Sequence, residues 1–147
     1  MELVFIKGAG KYDRMRVVRD EVAEDIACPK QHIIPHDMMH FAVESTLETR
    51  GFLSRVRDGE STDWQMGSTA ESDGVERLVE VFQGDAWSGD EASPAEMLDL
   101  YRVTCNARDC PPLQVTVDDI EAVRGKIHAL DAQWQALAIG ESMSLML

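Results

Sequence analysis

Tyr12-Asp13-Arg14-Met15-Arg16-Val17-Val18-Arg19 sets Arg14 and Arg16 against Met15 and Val17 in strict alternation, the pattern of a strand with one face in a core and one in water. Before it comes Leu3-Val4-Phe5-Ile6, a short β-favouring run ended by the turn signal Gly8-Ala9-Gly10-Lys11. After it, Val22 to Cys28 reads as a third strand stopped by Pro29, so the N-terminal part is expected to be a β-meander. The end of the chain alternates again in Ser142-Met143-Ser144-Leu145-Met146-Leu147. Met143, Leu145 and Leu147 are expected to join the N-terminal sheet.

Between these ends the period changes to that of helices. The first helix is expected from near Pro35 to about Thr49, with Asp37 as its N-cap, and a short helical piece follows over 52–58. Residues 59–74, rich in Gly, Ser, Thr and acid, read as a long loop with Trp64 and Met66 within it, and a helix is expected over 75–83. Ser93-Pro94-Ala95-Glu96 is a strong helix start, with that helix ending before Pro111-Pro112. The longest helix follows Thr116, because Ile120, Val123, Ile127, Leu130, Trp134 and Leu137 recur at spacings of three and four. The fold class is therefore α+β. One antiparallel sheet, the N-terminal meander plus a C-terminal strand, packs against several α-helices in a single domain over 1–147.

Composition bounds the function. The net charge is −13, and residues 59–147 carry five Lys/Arg against seventeen Asp/Glu. Such a surface repels phosphate backbones and anionic membranes, so neither nucleic acid nor membrane is expected as a partner. The opening Met-Glu-Leu-Val-Phe-Ile-Lys-Gly lacks the basic start of an export signal, and a cytoplasmic location is expected. Cys28, Cys105 and Cys110 are then reduced thiols, and the five-residue spacing of the last two is not a metal-binding CxxC.

Pro35-His36-Asp37, then His40, Phe41, Val43 and Glu44, resembles a segment recurring in a family of short uncharacterised bacterial proteins. The opening hairpin and the stretch from Trp134 to Leu147 are similar to the same group. The resemblance implies kinship and carries no activity with it.

His36, Asp37, His40 and Glu44 form the candidate site. His36, His40 and Glu44 are four apart, and on a continuous helix they line one face within reach of a divalent ion such as zinc. An N-cap at Asp37 puts His36 outside the helix, and no glutamate follows the first histidine as in zinc proteases. His40 also borders the apolar face of Val43 and Leu47, where a neutral structural imidazole is expected. His32 is near in sequence. Lys11, Arg14, Arg16 and Arg19 make a basic face on an acidic chain, with Arg14 and Arg16 the candidates for a small anionic ligand. With no coherent catalytic set in view, the expectation is a non-catalytic protein without a cofactor, acting on a protein partner or on itself. Zinc binding with hydrolysis is the alternative.

Overall fold

Alternation at both ends of the chain resolves into one antiparallel sheet of order β3-β2-β1-β4. The computed structural model describes residues 1–62 and 67–147. Its strands are β1 (Glu2–Ile6), β2 (Tyr12–Arg19), β3 (Val22–Pro29) and β4 (Ser142–Met146). Leu3 faces Val17 on one side and Leu145 on the other; Phe5 likewise faces Met15 and Met143. These side chains share one face, because strand residues two apart point the same way. The C-terminal strand thus sits at an edge beside the first strand, as its alternation indicates.

The described residues also form five helices: α1 (His36–Leu47), α2 (Phe52–Arg57), α3 (Ala70–Trp87), α4 (Pro94–Ala107) and α5 (Val117–Gln135). Their apolar stripes and the inner sheet face close on one core, in which Leu3, Phe5, Met15, Met38, Met39, Leu78 and Tyr101 are fully buried. Helix α1 lies at the centre of the helical layer, against α2, α3 and α5. No helix among the described residues is long and apolar enough to cross a membrane.

Two boundaries differ from the sequence reading. The helix expected over 75–83 begins earlier, at Ala70, inside the stretch read as loop. Thr69 accepts the Ser72 N–H while the Ser72 hydroxyl takes the Thr69 N–H, a capping box in which serine replaces the usual Glu or Gln. Glu71 and Asp73, which made the segment look loop-like, instead complement the positive end of that helix. Asp37 is the second correction. The residue before α1 is Pro35, no side chain caps the helix, and Asp37 lies in its first turn. The reading of Trp64 and Met66 falls outside the described residues.

Trp134 is only 4 % exposed, and Lys7 donates to the carbonyl oxygens of Trp134 and Leu137 while its ammonium lies over the indole. Trp134→Ala is expected to cost about 3–5 kcal/mol, as large aromatic truncations in cores do. Chemical denaturation of the two proteins measures it.

Candidate functional site

His36 belongs to α1, so the four-residue spacing to His40 acts as it does on any helix. The two rings stack edge to face with centroids 4.8 Å apart. Glu44, one turn further, is 2 % exposed. One of its oxygens accepts the Gly51 N–H at 3.1 Å, the Ser54 N–H at 2.8 Å and the Ser54 hydroxyl at 2.7 Å; the other accepts the Leu53 N–H at 3.1 Å. Glu44 is thus the cap of α2, supplying from a distant turn what α2 lacks locally. Gly51 makes this possible. A Cβ there would stand 2.7 Å from the Glu44 carboxyl carbon and 2.6 Å from a Val75 methyl.

The remaining acceptor capacity of Glu44 faces Nδ1 of His40 at 3.0 Å. Because a carboxylate only accepts, the network assigns a proton to that nitrogen. His36 is fixed by a parallel device. Its Nδ1 lies 2.9 Å from Oε1 of Gln83, the Gln83 amide donates to Oε1 of Gln31 at 2.8 Å, and the Gln31 amide donates to the Ile34 carbonyl oxygen at 2.7 Å. This chain of amides turns an acceptor toward His36, so its Nδ1 is also the donor.

Both Nε2 atoms then point at a single carboxylate from α3. Glu76 has one oxygen 3.2 Å from Nε2 of His36 and the other 2.8 Å from Nε2 of His40. The three donor atoms lie within 4.8 Å of one another. Glu44, expected as the third member with the two histidines, does not fill that place, since its oxygens are committed to α2 and to the far side of the His40 ring. His32 is exposed, in a left-handed conformation at φ 67°, and does not join them. Arg14 and Arg16 lie on the outer face of the sheet, where both pair with Asp25, so they are separated from the histidines by the sheet itself.

Electrostatics follow from this arrangement. Burial alone would pull the His40 imidazolium down, but hydrogen bonds to Glu44 and Glu76 outweigh it and push its pKa up to about 10. These partners therefore favour the imidazolium at His40, against the neutral ring expected from the sequence. The reason is Glu76, which no reading of α1 alone contains. Burial also disfavours the charged His36, and again the bond to Glu76 wins and raises it. Glu76 is opposed by burial yet held far below the usual carboxylate range by the two rings. Asp37 is raised by burial, against the pull of His40 and His36, and it accepts a weak hydrogen bond from the Cys28 thiol at 3.7 Å. Burial and the neighbouring Asp37 push that thiol up to about 12, which leaves it a poor nucleophile.

The sequence reading missed Glu76 and Gln83. The available signal was Gln83, a polar residue at a position buried with Val79 and Phe82 on the apolar stripe of α3. No known protein family, curated protein or solved structure matches the chain.

Two outcomes follow. Gly51→Ala forces apart groups that already touch, and is expected to destabilise by roughly 1–3 kcal/mol, as overpacking does, measured by urea unfolding. The His40 contribution to stability is expected to be full below its ordinary value of 6.5 and lost as pH rises toward about 10. The Glu76 contribution has the opposite sign, being present above 4.5 and lost as pH falls. Thermal unfolding across pH should show both losses, and Glu76→Gln should flatten the alkaline one.

Proposed function

We propose that this chain is a divalent-metal protein whose ion is held by Nε2 of His36, Nε2 of His40 and the carboxylate of Glu76. The observation carrying this reading is the convergence of two bare-capable ring nitrogens on one carboxylate, each ring locked through its other nitrogen. With both Nδ1 atoms committed as donors, whatever lies between the rings and Glu76 must be positive. Either each Nε2 takes a proton, or one cation replaces both. In tetrahedral zinc sites, ligand atoms about 2.0–2.2 Å from the ion lie roughly 3.3 Å from one another; here the three donors lie within 4.8 Å, so a modest inward shift of the side chains would close them around one ion. The supports behind the rings also suit this role, since metal-bound histidines ordinarily donate their other N–H to a carboxylate or carbonyl oxygen.

Two imidazoles and a carboxylate suit zinc better than magnesium or calcium, which favour oxygen donors. Three protein ligands leave a fourth position. The side chains of His36 and Glu76 are 39 % and 34 % exposed, so that position faces solvent. Held by His36, His40 and Glu76, such an ion would supply Lewis-acid activation of water, the chemistry of hydrolysis. The binding-protein reading favoured by composition draws on no comparable convergence among the described residues.

Elemental analysis of protein purified without a polyhistidine tag tests this directly. One equivalent of zinc or a related ion is expected, and it should be lost in both His40→Gln and Glu76→Gln. Gln83→Leu frees the His36 ring without removing a ligand and should weaken binding by about 10–100-fold. Wild-type protein that stays metal-free after dialysis against zinc would overturn the reading.

A further inference from the structure

The C-terminus of α4 carries a feature that the metal reading does not use and on which it does not depend. Helix α4 ends in a Schellman turn. The Cys110 N–H donates to the Cys105 carbonyl oxygen at 2.9 Å, the Asp109 N–H to that of Asn106 at 3.3 Å, and Asp109 takes the left-handed conformation at φ 49°. In this turn the first and last residues of the outer bond bring their side chains together, and the contact is ordinarily apolar. Here both residues are cysteines.

Both are buried, Cys105 completely and Cys110 to 8 % exposure, and both are free thiols. They also line one open surface cavity of about 530 Å³, together with Arg102 and the Pro111-Pro112 segment. A small oxidant therefore has a path to two cysteines whose backbones are hydrogen-bonded to each other across the turn.

We infer that Cys105 and Cys110 form a peroxide-responsive pair that closes reversibly into an intramolecular disulfide across the end of α4. Cys110 is the more accessible and reacts first. Its thiolate attacks one oxygen of hydrogen peroxide, the O–O bond breaks and hydroxide leaves, giving a sulfenic acid. The Cys105 sulfur then attacks the Cys110 sulfur, the S–S bond forms, the S–O bond breaks and the oxygen departs as water. Two thiols are oxidised by two electrons and one peroxide is reduced to two waters.

The test is peroxide treatment of the folded, full-length chain, followed by thiol counting under denaturing conditions. The three thiols should fall to one, with a mass loss of two hydrogen atoms, and dithiothreitol should restore all three. Trypsin cuts after Arg108, between the two cysteines, so the disulfide should appear as two joined peptides that separate on reduction. In Cys105→Ser the intermediate has no partner and should accumulate as a Cys110 sulfenic acid trapped by dimedone. Cys110→Ser, at the less buried position, should lose the peroxide-driven pairing altogether and serves if the first variant does not fold. Three thiols surviving peroxide that oxidises a free small thiol, a bond involving Cys28, or over-oxidation of Cys110 without pairing would each overturn the inference.

Discussion

A carboxylate withdrawn from water must find its solvation within the protein, and Glu44 does so by accepting four donors from the start of α2 and one from His40. Removing any of these donors leaves a buried anion short of partners, and removing Glu44 orphans the amides of a helix only six residues long. Much of the site depends on this one group. It fixes the crossing of α1 and α2, requires glycine at position 51, and sets the His40 ring so that Nε2 faces the other way. A short helix with little propensity of its own is held by a side chain of the preceding helix, which ties its survival to the same atoms that orient the site.

Glu76 is the counterpart on the other side of the rings. It sits against two imidazoles whose outer nitrogens are already donors, and its own charge would be costly there without a cation. Protons on the two rings answer this electrostatic demand, and under the proposal above a divalent ion would answer it in their place. The acidic character of the chain acts in the same direction at longer range, favouring the approach of cations over anions.

The sheet was legible in the sequence because strand burial has a period of two, and Met15 and Val17 against Arg14 and Arg16 display it without interruption. The stripe of α5 was legible for the corresponding reason at a period near 3.6. Segment 70–74 was not, because Ser, Glu and Asp suit a loop and a helix N-terminus alike, and only the reciprocal bonds of Thr69 and Ser72 separate the two. Of the site, the helical half was visible and the rest was not. His36 and His40 announce themselves by spacing, but Glu44 shares that spacing and turned out to serve α2. Glu76 and Gln83 come from an element whose position relative to α1 no local pattern encodes. Spacing along one helix identifies which side chains share a face; it is silent on which of them another helix will meet.

How the other helix meets them can be read from the order of partners. Along α1 the sequence runs His36, His40, Glu44; along α3 it runs Glu76, Gln83. Glu76 meets both rings, and Gln83, two turns later, meets the nitrogen of His36 that faces away from Glu76. Later residues of α3 thus pair with earlier residues of α1, which makes the helices antiparallel and places the polar groups in the order Glu44, His40, Glu76, His36, Gln83. Each ring is therefore flanked on both sides, by Glu44 and Glu76 for His40 and by Glu76 and Gln83 for His36. Only the pair flanking His40 is wholly anionic, which is why that ring is the more strongly raised, while the neutral amide at His36 orients without adding charge. Helices crossing in the parallel sense would have put Gln83 beside Glu44 and left His36 without a support. The direction of one helix pair thus decides whether two histidines a turn apart become a built site or two unrelated side chains.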